Sequence, residues 1–178
     1  EQAGISHFIE HMVFKGTRRR PTPMEISATI EGNGGMINAG TEQELTVYWC
    51  KIATPHFSES MDLLIDMLRN PLLDPEAIDS ERMVVFEELG MINDYPGARV
   101  DALLDQMLWP GHPLGRDVGG TKESVAVIGR DMMVEHLARY YTPPNIVVCV
   151  AGNVSHEDVV SEVAALSDGW APADAPGW

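Results

Sequence analysis

Helix-start signals, in which a capping residue is followed by proline, occur repeatedly in the first half of this chain. They limit where its helices can begin. Thr22-Pro23-Met24-Glu25 has the pattern of a capping box with proline at the first helical position, and its helix should end before the turn at residues 32–35. Thr54-Pro55 and Asp74-Pro75 open two further helices, the second running to about Asn93. The chain therefore predicts several capped helices joined by short connections.

Two segments have strand character instead. Residues 35–52 are rich in glycine and then in β-formers, with Leu45, Val47 and Trp49 alternating against more polar neighbours. Residues 145–151 form a nearly continuous apolar run that fits a buried strand. Because strands and helices mix without strict βαβ alternation, we predict an α+β fold with a largely antiparallel sheet packed against helices.

The remaining pattern predicts four more helices, at residues 98–108, 122–128 and 131–141 and from the Ser155 cap to about Leu166. We expect residues 1–167 to form one domain whose start is truncated, since a helix that carries chemistry within the first dozen residues has no strand before it. Residues 168–178, rich in Ala, Pro and Asp, are predicted to be an unstructured tail or a linker toward a second domain.

The charge balance bears on the partners of the chain. It has 12 basic and 27 acidic residues, a net charge of −15, which argues against nucleic acid and favours metal ions or basic peptides. No run of about 18 apolar residues is present, so no membrane span is predicted. Cys50 and Cys149 lie in apolar runs, where we expect reduced thiols, and no signal peptide opens the chain. These features predict a cytoplasmic protein.

The segment His7-Phe8-Ile9-Glu10-His11 is the strongest local signal of chemistry. In a helix, residues three and four positions apart share a face, so His7, Glu10 and His11 should point the same way while Phe8 and Ile9 face the core. Two imidazoles one turn apart can chelate one ion, and a catalytic zinc typically has three protein ligands. A third ligand is therefore required.

The third predicted helix offers that ligand. Glu81 and Glu88 are seven residues, or about two turns, apart and should share a face, and Glu88 lies 77 residues after His11. Glu87 is the rival ligand, but it lies off the face that carries Glu81. We therefore rank Glu88 first.

This combination resembles the inverzincin peptidases of family M16, whose pattern is H-x-x-E-H followed after roughly 75–80 residues by a ligand glutamate, with a second glutamate seven positions before it. The chain matches it at His7, Glu10, His11, Glu81 and Glu88. Further similar segments occur in the family's order and cover nearly the whole chain: residues 11–17, 34–48, 112–121 and 140–154.

The resemblance implies a zinc ion held by His7, His11 and Glu88, with Glu10 as the general base toward a metal-activated water. For Glu81 three interpretations remain: it orients a ligand histidine, supports the catalytic charge balance, or is only a solvated helix residue.

The resemblance also implies that Asn38 and Ala39 lie on an exposed sheet edge that receives substrate as an added strand. The alternative is that Gly34-Gly35 is only a helix cap and turn before an ordinary strand.

The resulting prediction is a zinc-dependent endopeptidase that cleaves extended peptides or small proteins, with a second homologous domain or subunit completing a clam-shell. An alternative is a non-catalytic structural or partner subunit with the same fold. A metal-buffering domain would need a fourth protein ligand, and the other histidines, at positions 56, 112, 136 and 156, fall in unrelated segments.

Overall fold

A computed structural model of the chain describes residues 2–172. Within this range the fold is mostly helical, with one hairpin of strands. The helices and strands are α1 (Ile5–Val13), α2 (Pro23–Ile30), β1 (Met36–Thr41), β2 (Thr46–Lys51), α3 (Phe57–Arg69), α4 (Pro75–Asp94), α5 (Pro96–Leu108), α6 (Lys122–Val127), α7 (Arg130–Tyr140) and α8 (His156–Ser167). None of the described helices combines the length and the apolar character that crossing a membrane requires.

Two predicted helix starts, at Thr22 and Asp74, are confirmed in detail, whereas Thr54–His56 forms a 3₁₀ turn and α3 begins after it without a side-chain cap. At α2, the Thr22 hydroxyl accepts from the backbone N–H of Glu25 at 3.3 Å, and Thr22 N–H donates to the Glu25 carboxylate at 2.9 Å. At α4, the Asp74 carboxylate accepts from two backbone N–H groups at 3.0 and 3.1 Å. Each cap is built from neighbours in sequence, so it forms without help from distant parts of the chain.

The α+β class is confirmed, with β1 and β2 forming a two-stranded antiparallel sheet. The prediction of a buried strand at residues 145–151 is wrong. The chain is extended at Ile146, but the segment pairs with no strand in the described range, and Val147 is 88% exposed. An apolar run becomes a strand only when a neighbouring backbone takes its hydrogen bonds, and the sequence of the run does not encode that neighbour.

The described residues divide into two compact units. The first contains residues 2–12, 39–47 and 73–133. Phe8 and Ile9 of α1 are fully buried in it, as predicted, and the Arg82 guanidinium lies over the Phe8 ring with its Cζ 5.4 Å from the centroid. Arg82 also donates to the carbonyls of Val125 and Ile128. These contacts fix the face of α1 opposite to its histidines.

The second unit contains residues 13–38, 48–72 and 134–172. Its most distinctive feature is the buried carboxylate of Asp66, 1% exposed, which accepts from the Thr17 hydroxyl at 2.6 Å, from Arg20 Nη1 at 3.0 Å and from Asn70 Nδ2 at 3.0 Å. A buried charge with this many donors is satisfied and stabilises the unit.

The second unit also includes the start of the predicted tail. Trp170 N–H there donates to Ser167 O at 2.9 Å. Residues 173–178 of that predicted tail lie outside the described residues.

Candidate metal centre

Helix α1 presents His7 and His11 side by side. Their Nε2 atoms are 3.2 Å apart, and the two rings meet edge to face at 77° with centroids 4.6 Å apart. The arrangement follows from the spacing of four residues, which places both imidazoles on one face one turn apart. Since Phe8 and Ile9 are buried on the opposite side, the histidine face cannot rotate away.

Helix α4 brings a carboxylate to the same point. Glu88 Oε2 lies 3.4 Å from His11 Nε2 and 3.8 Å from His7 Nε2. Val85 and Leu89, close to Glu88 around α4, are buried, and their packing fixes the rotation of the helix that brings Glu88 here. Glu87, the rival ligand, is exposed on α4 and does not join this cluster.

The spacing of these donor atoms suits one zinc ion. One ligand atom from each of His7, His11 and Glu88 lies within 4.8 Å of the other two. Zinc bonds of about 2.0–2.1 Å in tetrahedral geometry place their donor atoms about 3.3–3.5 Å apart. Two imidazole nitrogens and a carboxylate oxygen are also the donor types that zinc prefers, so the residues present fit the ion.

Glu81 occupies a defined place beside this cluster. Its Oε1 is 3.0 Å from His11 Nδ1, and the residue is only 7% exposed. A carboxylate that accepts the Nδ1 proton fixes the tautomer in which Nε2 offers its lone pair to a metal. This geometry corresponds to the orienting interpretation, and the burial of Glu81 excludes a solvated surface residue.

Glu10 lies on the same face of α1 and is held from the hairpin. The Thr41 hydroxyl, at the end of β1, donates to Glu10 Oε2 at 2.5 Å, and the Thr46 hydroxyl on β2 donates to Thr41 Oγ1 at 3.3 Å. Sequence reasoning missed Thr41. The available signal was its place two residues after Ala39 in the segment similar to the family pattern.

The electrostatics of the cluster favour the neutral form of His7. Burial of the ring, followed by the neighbouring charge of His11, lowers the pKa of His7, and the carboxylates of Glu10, Glu88 and Asp117 oppose this shift. A neutral imidazole is the form that binds a metal, so the lowered pKa favours ligation near neutral pH.

The two predicted substrate-binding residues lie on β1, before Thr41. Asn38 is exposed and Ala39 is half-buried. In the described sheet β1 pairs with β2 alone, so β1 is an edge strand, the kind of element that strand addition requires. Their role toward substrate stays a prediction.

Comparison with known proteins gives a consistent result. The family described as Insulinase (Peptidase family M16) matches residues 1–122, and the Peptidase M16 inactive domain matches residues 128–177. The uncharacterized zinc protease YmxG of Bacillus subtilis is 38% identical over 152 residues, covering 85% of this chain and 37% of the relative. The mitochondrial-processing peptidase subunit beta of Dictyostelium discoideum is 35% identical over 164 residues, covering 90% of this chain and 34% of the relative.

A solved structure shares the fold. A protease from Helicobacter pylori superposes with a TM-score of 0.91 at 23% identity, covering 99% of this chain and 42% of that one. The chain thus spans a little over a third of the length of the curated relatives that it matches.

Proposed function

The chain belongs to the insulinase family of peptidases, family M16, and on that premise we propose that it is the zinc-binding half of an endopeptidase that cleaves extended peptides. The convergence of His7, His11 and Glu88 on one point, with Glu10 on the same helical face, is the observation that carries the proposal. A purely structural domain has no need for that combination.

When bound, zinc supplies a Lewis acid that lowers the pKa of a coordinated water toward about 7. The chain's own contribution to the chemistry is Glu10. Because Thr41 donates to Oε2, Oε1 is the oxygen that receives the proton of the attacking water and later delivers it to the leaving amine. The Thr41 hydrogen bond keeps the Glu10 carboxylate in one orientation for both transfers.

Substrate recognition in this proposal uses the edge of β1. An extended peptide that pairs with the backbone near Asn38 and Ala39 would lie along a strand whose last residue, Thr41, contacts Glu10. Main-chain pairing makes few demands on substrate sequence, and the net charge of −15 favours basic peptides.

The proposal includes a partner. The chain spans about a third of its curated relatives, and the match of residues 128–177 to the M16 inactive domain supports a second homologous domain or subunit that closes over the substrate. The name of one relative, a beta subunit of a processing peptidase, is in keeping with a multi-subunit arrangement.

The test compares the full chain with Glu10→Gln, measuring zinc content and cleavage of a quenched fluorogenic peptide library. Exposed Glu76→Gln on α4 is the matched control. We expect one zinc per chain in all three proteins, and cleavage in the parent and the control only. Zinc in every protein with equal cleavage by Glu10→Gln would overturn the role of Glu10. Zinc without cleavage by the parent, even with a homologous partner domain added, would favour the non-catalytic subunit.

A further inference from the structure

The two ligand histidines differ in what their second nitrogens contact. His11 Nδ1 has the Glu81 carboxylate at 3.0 Å, whereas His7 Nδ1 is buried and has no hydrogen-bond partner within the described residues. A neutral imidazole that offers Nε2 to a metal carries its proton on Nδ1, and this buried N–H then needs an acceptor. A buried N–H of this kind is destabilising when it has no acceptor.

One carboxylate shares a neighbour with this nitrogen. Asp117, half-buried in the loop between α5 and α6, accepts from Gly119 N–H through Oδ1 at 2.8 Å. A Cβ built on Gly119 would lie 3.3 Å from Asp117 Oδ1 and 3.8 Å from His7 Nδ1, so both atoms lie within 4 Å of one point. That point is space which Gly119 leaves open because it has no side chain.

From this juxtaposition we propose that Asp117 is a positioning residue for His7, whose carboxylate accepts the Nδ1 proton when Nε2 binds the metal. The inference rests on the proposed zinc site and extends it, since each ligand histidine then has its own carboxylate: Glu81 for His11 and Asp117 for His7. Such partners fix ring orientation and raise ligand basicity, and their loss typically weakens metal binding by about 10–100-fold.

The site also depends on the absence of a side chain at Gly119. Any side chain there would begin within 4 Å of both the Asp117 carboxylate and His7 Nδ1, and would also meet a Leu89 methyl carbon at 2.9 Å. Gly119 is buried and does not have the positive φ that alone would call for glycine. The Leu89 methyl group, together with Asp117 and His7, leaves room only for a residue without a side chain.

The experiment measures the zinc dissociation constant of the full chain by competition with a chromophoric chelator. Asp117→Asn keeps an oxygen for Gly119 N–H but turns an amide donor toward His7 Nδ1–H, so the loop is retained and the acceptor is lost. We expect zinc binding at least about 10-fold weaker in this variant. Asp131→Asn, at an exposed acidic residue of the same unit, should bind like the parent chain.

Gly119→Ala is the second variant, because it keeps the charge of Asp117 and adds a methyl group within 4 Å of both groups. This variant should also bind zinc more weakly. In the zinc-loaded parent chain, the His7 Nδ1 proton should be visible as a slowly exchanging signal in ¹⁵N-histidine NMR spectra.

If Asp117→Asn folds and binds zinc within about twofold of the parent, the inference is overturned while the zinc site stands. If Asp117→Asn does not fold, parent-like binding by Gly119→Ala overturns it. A parent chain that binds no zinc overturns both.

Discussion

Thr41 donates its hydroxyl hydrogen bond to Glu10 Oε2 at 2.5 Å, joining the end of β1 to the helix that carries the two histidines. Thr46, on the next strand, donates to Thr41 in turn. The proposed general base is therefore oriented by the same hairpin that is proposed to receive substrate. Peptide binding along β1 and the direction of the Glu10 carboxylate are linked through one side chain.

Replacing Thr41 with valine, which has the same shape without the hydroxyl, should lower kcat about 10-fold or more. The reason is that a hydrogen bond to a charged group contributes roughly 1.5–3 kcal/mol, and about 1.4 kcal/mol is a factor of 10 in rate. Steady-state cleavage of a fluorogenic peptide, with zinc content measured in parallel, checks this. Thr41→Ser keeps the hydroxyl and should restore most of kcat. Loss of zinc in Thr41→Val would contradict a role confined to Glu10.

Replacing Glu81 with glutamine should weaken zinc binding by about 10-fold or more, since the His11 Nδ1 proton loses its charged acceptor. Chelator competition measures the dissociation constant. Glu76→Gln, at an exposed position on the same helix, serves as the control and should not change it. Equal zinc affinity in Glu81→Gln and the parent would show that Glu81 does not act through His11.

The sequence predicted the helix caps and helix faces, which depend on residues close together along the chain. The Thr22 and Asp74 caps and the shared faces of α1 and α4 follow from spacings of two to seven residues, so they could be read without a structure. The convergence of His7, His11 and Glu88 could be anticipated because each helix face is periodic and the resemblance supplied the pairing.

The sequence did not predict the features that depend on contacts between residues far apart along the chain. Residues 145–151 have the composition of a buried strand but no described strand beside them. The Thr41–Glu10 hydrogen bond depends on where the hairpin meets α1. The approach of Asp117 to His7 depends on a loop path from another part of the chain. In each case the deciding contact spans many residues and has no local signature.

The buried carboxylate of Asp66 predicts a stability effect away from the metal site. Asp66→Asn should lower the free energy of unfolding by about 2–4 kcal/mol, because the Arg20 guanidinium would keep its charge and lose its buried partner. Urea denaturation measures the change. Asp62→Asn should cost less, since the Asp62 carboxylate is partly exposed. A larger loss from Asp62→Asn than from Asp66→Asn would contradict this ranking.

His136 predicts a pH dependence of stability. Burial, followed by the charge of Arg139, lowers the pKa of His136 to about 4 from 6.5. Its ring lies beside Tyr140 and Tyr141, at centroid distances of 4.5 and 6.4 Å. The unfolded chain therefore binds the proton first. The contribution of the neutral His136 ring to the free energy of unfolding is therefore complete above pH about 6.5. It is lost as the pH falls toward about 4.

Allowing for partial exposure of the ring, the loss should be about 2 kcal/mol over this window. His136→Gln should flatten the dependence of the unfolding free energy on pH between about 6.5 and 4, whereas His156→Gln, at an exposed position, should leave it steep. Urea denaturation at a series of pH values provides the comparison. An unchanged slope in His136→Gln would assign the acid sensitivity to other groups.

Zinc stoichiometry in variants of two adjacent glutamates tests most directly whether His7, His11 and Glu88 hold one zinc ion. Limiting zinc and a competing chelator would be equilibrated with each of three proteins: the parent chain, Glu88→Gln and Glu87→Gln. The zinc bound per chain would then be measured. Glu88 faces the histidines and Glu87 is exposed, so one zinc per chain is expected in the parent and in Glu87→Gln, with most of it lost from Glu88→Gln. Zinc retained by Glu88→Gln and lost from Glu87→Gln would contradict the site.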